Sequence, residues 1–411
     1  MKSDFTILFT TRIIRLFAYG FLSVVLALYL SAIGMSNFGI GLLLSLTLLG
    51  DVFVSMTITI VADRIGRKKM LILGSLLMAG AGLVFILTEN PVVLTIAAII
   101  GIISPSGNEI GPFLSIEQAS LTQIIPNEKR TWVFSWYSLA GSFATAGGAL
   151  CGGWLVMLLQ KAGIGEVSSF RAVLFGYVIA GLVLMFLFMK LSLNSETPKK
   201  EIDHTASEEL KTRFGLHRSK GIVAKLSVLF ALDAFAGGFI IQSMMAYWFH
   251  LKFGADAGTL GSIFFGANIL AGFSSLMAAR IAKWIGLVNT MVFTHIPSNI
   301  LLMLVPLMPN LGWAITMLML RFIISQMDVP TRQSYTMAVV APDERTAASG
   351  ITNTARSIGA AVSPMLAGLF MGSALLISLP FFLSGGLKIV YDIALFRMFK
   401  HVKPPEEEVK N

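Results

Sequence analysis

Apolar runs of about 20 residues recur along the whole chain, and they constrain its fold more than any other feature. Each run is long enough to cross a hydrocarbon core of about 30 Å as an α-helix. The chain is 55% hydrophobic and only 13% charged, whereas soluble domains carry roughly 25% charged residues. Twelve spans are predicted, beginning near Ile7, Phe38, Met70, Val92, Thr131, Arg171, Ile222, Gly258, Leu287, Leu311, Thr346 and Ala374.

The form of these runs selects helices over strands. They are continuous, whereas the strands of a membrane β-barrel alternate apolar and polar residues. The 38 glycines are dispersed, as expected where helices pack closely in lipid. We therefore expect an all-α membrane protein in a lipid bilayer. Trp132, Trp136, Tyr137 and Trp248 fall at predicted span ends, where an aromatic belt at the membrane surface is expected.

The distribution of basic residues predicts the orientation. Most of the 31 Lys and Arg fall in the N-terminus, the loops that follow even-numbered spans and the C-terminal tail. Only Lys161, Arg171 and Lys252 fall in loops of the other side. The positive-inside rule then places both termini and the central loop in the cytoplasm. The net charge of +9 is explained by this topology, so we expect no nucleic-acid partner. Arg12 and Arg15 interrupt the first run, which argues against a signal peptide.

One polar segment divides the chain. The sequence "NSETPKKEIDHTASEELKTRFGLHRSKG" is charged and nearly free of aromatic residues, and six spans lie on each side of it. The predicted domains are an N-terminal six-helix bundle (1–193), a cytoplasmic linker loop (194–221), a C-terminal six-helix bundle (222–400) and a cytoplasmic tail (401–411).

The two halves show internal repetition. "RLFAYGF" matches "DAFAGGF" at four of seven positions with an offset of 218 residues, which sets Arg15 against Asp233 and Tyr29 against Tyr247. "ADRIGRKKM" matches "AKWIGLVNT" at an offset of 220. "IPNEKRT" resembles "APDERT" at an offset of 215, and the same offset sets Glu117 against Arg332. Such duplication is typical of transporter folds built from repeats.

The loop "DRIGRKK" resembles the signature of the major facilitator superfamily, Gly-x-x-x-Asp-Arg-x-Gly-Arg-Arg/Lys, although Thr59 stands at its first glycine. The resemblance implies two pseudo-symmetric six-helix bundles around a central cavity, with twelve transmembrane helices in all. It also implies that this loop helps to latch the bundles together on the cytoplasmic side. The candidate latch residues are Asp63, Arg64, Gly66 and Arg67, with Arg356 as a candidate partner of the carboxylate.

Charged residues inside apolar spans mark candidate sites, because each costs about 2.5 to 3.5 kcal/mol at the bilayer centre. Here they concentrate in spans 1, 4, 7 and 10, which line the cavity in the fold that the chain resembles. The alternative is that these residues form structural ion pairs or that the outer ones extend to the membrane surface, and for Arg12 we prefer this alternative. The candidate substrate or coupling-ion residues are Arg15, Glu109, Glu117, Asp233, Arg321, Asp328 and Arg332.

Sequence spacing also suggests partners. Because Arg15 and Asp233 are repeat mates of opposite charge, we expect them to lie near one another or near one shared ligand. Lys388 and Asp392 are four residues apart in span 12 and are expected to satisfy each other. Asp51, midway along span 2, is either a protonatable coupling site or a neutral, hydrogen-bonded acid.

These observations predict a secondary active transporter that works by alternating access, not an enzyme. No phosphate-binding Gly-x-x-x-x-Gly-Lys-Ser/Thr loop occurs, so the energy must come from an ion gradient. The proton is the favoured ion and sodium stays open. The single Cys151 and scattered histidines favour no metal site or cofactor. We expect a monomer in a prokaryotic plasma membrane. Efflux of a small amphipathic compound is narrowly favoured over uptake or exchange of an organic anion, and lipid translocation remains an alternative.

Overall fold

The computed structural model describes residues 2–109, 111–125, 130–192, 216, 218–341 and 344–402. Within these ranges the regular structure consists of sixteen α-helices and one 3-10 turn at Val305–Leu307, which confirms the all-α prediction. The helices are α1 (Lys2–Ser23), α2 (Leu26–Ala32), α3 (Asn37–Ile65), α4 (Arg67–Leu87), α5 (Pro91–Ile100), α6 (Phe113–Ile124), α7 (Arg130–Lys161), α8 (Glu166–Met189), α9 (Lys220–Gly238), α10 (Gln242–Phe253), α11 (Ala257–Ile285), α12 (Leu287–Leu304), α13 (Leu311–Ile324), α14 (Asp328–Val339), α15 (Arg345–Met371) and α16 (Leu379–Phe399).

The helices fall into twelve span-length segments in the described part of the chain. Eight spans are single helices, and four consist of two shorter helices in sequence: α1 with α2, α5 with α6, α9 with α10, and α13 with α14. These four are spans 1, 4, 7 and 10, the same spans that carry Arg15, Glu117, Asp233 and Arg332. Charge and helix interruption therefore coincide in repeat-related positions.

The predicted span starts agree with the helices to within five residues. The largest differences are at spans 1, 6 and 12. Span 12 was expected near Ala374, but the residues from Gly372 to Ser378 form bends and turns and α16 begins at Leu379. An apolar run alone does not separate a turn from the helix that follows it. The helix starts are better marked by caps: Ser36 accepts a hydrogen bond from Gly39 N, and Asn90 accepts from Val92 N.

Nine segments of the described chain are long and apolar enough to cross a membrane. Spans 4 and 10 are absent from that set because each is split into helices of 10 to 14 residues. Span 11 is a continuous helix of 27 residues, but its first half, "RTAASGITNTARS", is polar. A helix with such a polar stretch needs protein or water beside it and not lipid.

A glycine with a left-handed backbone closes the same loop in each half. Gly66 has φ 120° and Gly286 has φ 86°. The N–H of Gly66 donates to Ala62 O, and that of Gly286 donates to Ala282 O, both at 2.9 Å. Side chains rarely adopt this conformation, so glycine is required at both turns. The shared geometry agrees with the repetition seen in the sequence.

The described residues pack into two compact units. Unit one contains those within Met1–Lys199, Ile241–Ile269 and Pro364–Ile377. Unit two contains those within Lys200–Ile240, Leu270–Ser363 and Ser378–Asn411. Span 7 divides between the units at the break that separates α9 from α10. The predicted domains follow the sequence halves instead, and they stay a prediction.

Unit one is built around the packing of α1 on α7 and α8, and of α4 on α8. Glycines allow the backbones of α1 and α7 to approach closely, since a methyl group on Gly148 would meet the backbone of Phe17. Segments of the second half join this unit. Ser243 N donates to Pro105 O at 3.0 Å, and Met365 N donates to Ser45 Oγ at 2.8 Å.

Unit two is built around α16, which packs on α9 and α12. Its core includes Leu226 and Phe230 from α9, Met291 from α12, and Tyr391 from α16. These apolar contacts surround the charged side chains of α9, α14 and α16, which are described next.

Candidate functional site: two buried charge clusters

The first cluster, here called the Arg15 cluster, consists of Arg12, Arg15, Glu109 and Glu117 in unit one. The guanidinium of Arg15 donates two parallel hydrogen bonds to Glu117, both 2.7 Å long, and its Nε donates to Glu109 at 2.8 Å. Arg12 reaches the other oxygen of Glu109 at 2.7 Å. Neither Arg15 nor Glu117 has any solvent-exposed side-chain surface. Such bidentate pairing gives both strength and fixed geometry.

Neighbouring polar and aromatic groups complete the Arg15 cluster. The hydroxyls of Thr11 and Tyr137 both donate to Glu117, and the carbonyl of Tyr137 accepts from Arg12 Nε at 2.7 Å. The Arg15 guanidinium lies 4.6 Å from the ring centre of Phe113. The expectation that Tyr137 belongs to a surface aromatic belt is wrong, because its side chain is buried against these charges.

The second cluster, here called the Asp233 cluster, consists of Asp233, Asp328, Arg332, Arg356 and Lys388 in unit two. Asp233 accepts from Lys388 Nζ at 2.6 Å, from Arg356 at 3.0 Å and from Arg332 at 3.3 Å. Arg332 also donates to Asp328 at 2.7 Å, one helical turn earlier in α14. Three cationic side chains therefore share two carboxylates. Arg356 is the most exposed of the five side chains, at 28%.

The two clusters contain one repeat-related ion pair with its charges exchanged. In the first half Arg15 of span 1 pairs with Glu117 of span 4, and in the second half Asp233 of span 7 pairs with Arg332 of span 10. The sequence repeat sets Arg15 against Asp233 and Glu117 against Arg332. Each half thus keeps an ion pair between its first and fourth spans, with the acidic and basic residues exchanged between the halves.

One predicted pairing is wrong and another stays a prediction. Arg15 and Asp233 were expected to lie near one another or near one shared ligand; Arg15 donates to acids of unit one and Asp233 accepts from cations of unit two, so the expectation of a shared ligand stays a prediction. Lys388 and Asp392 were expected to pair within α16, but Lys388 donates to Asp233 while Asp392 accepts from His295 and Asn299. Position along a helix does not decide between a neighbour four residues away and a facing helix.

The remaining cavity candidates lie apart from these direct contacts. Arg321 is buried in α13, with its guanidinium 4.9 Å from the ring centre of Phe322. Its Nε has no hydrogen-bond partner among the described residues. Asp51 in α3 accepts from Ser55 Oγ at 2.9 Å and from Gly111 N at 2.7 Å, within the break of span 4. Both contacts of Asp51 are typical of an acid that holds a local backbone turn.

The family model of the Major Facilitator Superfamily matches residues 8–364. The chain belongs to this superfamily. It is an integral membrane protein of a transporter family and not an enzyme, in agreement with the predicted fold class.

Individual relatives agree with the superfamily assignment. The chain is 31% identical over 422 residues to the uncharacterized membrane protein YJR124C of Saccharomyces cerevisiae, covering 96% of this chain and 94% of that protein. The crystal structure of the nucleoside transporter NupG is similar with a TM-score of 0.71 and 15% identity, over 98% and 100% of the two chains. A D-xylose-proton symporter is similar with a TM-score of 0.74 and 14% identity, over 96% and 97%.

The superfamily signature loop is only partly visible in the structure. The side chains of Asp63 and Arg64 lie outside the described residues. Gly66 forms the left-handed turn between α3 and α4, and Arg67 is buried at the start of α4. Arg356, expected to partner one of the carboxylates, with Asp63 of the latch as one candidate, donates to Asp233 and so belongs to the Asp233 cluster. The latch itself stays a prediction for Asp63, Arg64, Gly66 and Arg67.

Proposed function

We propose that this superfamily member is a secondary active transporter of a small organic anion, bound at the Asp233 cluster. The observation that supports the proposal is the difference in charge balance between the clusters. The Arg15 cluster has two cations and two carboxylates, whereas the contacts of the Asp233 cluster join three cations to two carboxylates. A buried excess charge is costly, and a ligand of opposite charge offsets that cost.

The donor chemistry supports a carboxylate or phosphate as the bound group. Guanidinium groups present planar pairs of N–H donors that match these oxyanions. Arg356 offers the most exposed guanidinium of the cluster, and the buried Nε of Arg321 supplies a further donor in span 10. A neutral or cationic amphipathic compound would bring no oxyanion to the three cations of this cluster. The organic anion, the second choice from sequence alone, is therefore the better proposal, with direction left to experiment.

Alternating access is the transport mechanism that we propose. Hydrogen bonds within unit one, between the ends of spans 2, 7 and 11, support it. With both termini and the central loop in the cytoplasm, the outer ends of spans 7 and 11 face the other side of the membrane. Tyr247 at that end of span 7 donates to Asn37 of α3, and the amide of Asn37 donates to Met371 O in span 11 at 3.2 Å. These bonds act as an extracellular gate that must open for the opposite state.

Proton coupling is the proposed energy source, with the chain acting as a monomer. The carboxylates of the two clusters, Glu109, Glu117, Asp233 and Asp328, are the carriers expected from sequence, and Asp51 is a further candidate. Sodium in place of protons is the alternative. The proposed membrane orientation holds in any organism, and a relative from yeast gives no support to the prokaryotic plasma membrane expected from sequence.

Flux into proteoliposomes tests the proposal. Purified protein should transport members of a panel of carboxylates and phosphate esters, and should not transport neutral or cationic solutes of similar size. Arg356→Gln should raise the KM for the anion at least about tenfold, because a hydrogen bond to a charged group contributes about 1.5 to 3 kcal/mol. The control is Arg280→Gln, which removes the same charge from an exposed position of α11 and should leave the KM unchanged. Transport of neutral solutes but of no anion would contradict the proposal.

The orientation has its own test. His401 is exposed just beyond α16, and the free Cys151 is exposed as well. In a Cys151→Ser background, His401→Cys should resist a membrane-impermeant thiol reagent in sealed cells and react after permeabilisation. Lys161→Cys, at the end of α7 before the loop to α8, should react in sealed cells. The reverse pattern would invert the topology.

A further inference from the structure

A second buried group of titratable residues lies in unit two, outside the spans expected to line the cavity. His295 of α12 and Asp392 of α16 are in contact, with 2.8 Å between Nδ1 and Oδ1. The amide of Asn299, one turn after His295, donates to the other oxygen of Asp392 at 3.1 Å. Asp392 and Asn299 are fully buried and His295 nearly so. Sequence reasoning gave these residues no functional role.

This carboxylate differs from those of the two clusters in its partners. Glu109, Glu117, Asp233 and Asp328 each accept from at least one Arg or Lys, so each has a cationic partner. The hydrogen bonds of Asp392 come from a neutral amide and from an imidazole, the side chain whose charge changes between about pH 5 and 8. A proton can therefore enter or leave at this pair without breaking an arginine or lysine ion pair.

The pair is connected to the Asp233 cluster through α16. Lys388, one turn before Asp392, donates to Asp233 at 2.6 Å. His295 interacts with Asp392 and Tyr391 from α16 and with Asp233 from α9. Lys388 from α16 acts on Asp392, and Asp328 and Arg332 from α14 act on Tyr391. The charge of the pair therefore acts on the same residues that we propose bind the anion.

Resting on the proposed function, we infer that His295, Asp392 and Asn299 form the proton-binding site that couples anion transport to a proton gradient. In the unloaded state His295 is neutral, its Nδ1–H donates to the Asp392 carboxylate, and the charge of −1 on the pair balances the +1 of the Asp233 cluster. A proton then adds to the lone pair of Nε2. The imidazolium and carboxylate together carry no net charge.

The consequence is that the proton and the anion are transported together, in the same direction across the membrane. Once the pair is protonated, the excess cation of the Asp233 cluster is no longer balanced, and an anion bound there restores neutrality. Buried unbalanced charge is the costly state, so binding of the proton and the anion favour each other, as thermodynamic linkage requires. Release of either weakens the binding of the other. Asn299 acts as a positioning residue that holds Asp392 toward His295.

Transport assays separate this site from the proposed function. A gradient of about one pH unit should drive about tenfold accumulation of the anion by the wild type if one proton accompanies each negative charge. His295→Gln should lose this accumulation while anion exchange at equal pH stays within a few-fold of wild type. His250→Gln, a change at an exposed histidine at the end of α10, should keep both. Gradient-driven accumulation by His295→Gln would overturn the inference.

A measurement on the wild-type protein does not depend on transport or on the folding of a variant. Hydrogen–deuterium exchange at the imidazole C2 position, followed by mass spectrometry across pH, reports the titration of each histidine. Saturating anion should move the midpoint of the His295 titration upward while leaving that of His250 unchanged, because binding of the proton and the anion favour each other. A His295 midpoint that does not move with anion overturns the site. Absence of all anion flux in the wild type overturns the proposed function instead.

Discussion

Three donors from two helices converge on the buried carboxylate of Glu117. They are the guanidinium of Arg15 in α1, the hydroxyl of Thr11 one turn earlier, and the hydroxyl of Tyr137 in α7. A buried carboxylate is tolerated only when its oxygens are satisfied in this way. The Arg15 cluster therefore ties α1, α6 and α7 together and, being neutral, serves as the scaffold of the first half.

Glu117→Gln should destabilise the protein strongly. The change leaves Arg15 buried with only Glu109 as an acidic partner, and breaking a buried pair costs about 3 to 5 kcal/mol. Thermal unfolding in detergent measures the effect. Glu89→Gln is the matched control, because Glu89 pairs with Arg171 at 2.6 Å while its side chain is 53% exposed, and exposed pairs contribute about 0 to 1 kcal/mol. Equal losses of stability for both changes would refute the scaffold role.

At the residue scale, the sequence predicts which positions matter better than it predicts their partners. Arg15, Glu117 and Asp233 stand out because a charge within an apolar run is rare, and all three lie in the clusters. Lys388 and Tyr137 were misassigned because their partners come from other helices. His295 carried no signal, since a lone histidine in a span is more often a packing residue than a ligand.

Four interrupted helices distinguish this molecule at the level of its elements. The break in span 4 lies between α5 and α6, and it contains Pro105 and Pro112 with left-handed Gly107 and Gly111. Proline and glycine explain why the helix stops there. Asp51 then accepts a hydrogen bond from the N–H of Gly111, which satisfies one backbone group of the turn. At such a break, backbone N–H and C=O groups near the charged side chains are left without partners inside a helix.

Gly66→Ala tests the turn shared by the two halves. Because Gly66 has φ 120°, a side chain there should cost about 1 to 3 kcal/mol in backbone strain, measured by thermal unfolding. Gly80→Ala is the control: Gly80 lies in the middle of α4 with nothing near an added methyl group, and the change should be neutral or stabilising by about 0.5 to 1 kcal/mol. A tolerated alanine at position 66 would show that the loop does not require the left-handed turn.

Element boundaries followed from sequence because hydrophobic length dictates where a helix can cross a membrane. The interruptions did not, although the Gly and Pro residues of "GIISPSGNEIGP" carry that signal. In span 1 no proline or glycine falls between the paired helices at 24–25, so the residues of that break do not mark it. In span 10, Pro330 is the third residue of α14 and has no N–H to donate to the carbonyl of Gln326, so the helix is interrupted at 325–327.

At the scale of the whole molecule, the two repeats share one arrangement of helices but differ in the charges that they bury. Both halves keep an ion pair between their first and fourth spans. The cations and carboxylates of the Arg15 cluster are equal in number, whereas the Asp233 cluster has one more cation than carboxylates. The sequence predicted the duplication and the opposite charges, but assigned the pairs across the halves. A sequence repeat identifies equivalent positions in the two halves, but it does not predict whether equivalent residues are in contact.

The last prediction uses a tyrosine that occurs in both repeats. Tyr29 and Tyr247 are repeat mates: Tyr29 donates a hydrogen bond to Phe85 O within the first half, and Tyr247 donates to Asn37 in the proposed extracellular gate, with its hydroxyl also 3.2 Å from Ser31 Oγ. Tyr247→Phe should therefore weaken the gate by about 0.5 to 1.5 kcal/mol, which is enough to shift a balanced two-state equilibrium several-fold toward the open gate. Spin labels at Lys161→Cys and Ala374→Cys, in a Cys151→Ser background, measure this as a new population at longer distance. Tyr29→Phe removes the same hydroxyl without touching the gate, so it should lower stability but leave the distance distribution unchanged. If both variants keep the wild-type distribution, the bond from Tyr247 does not hold the gate closed.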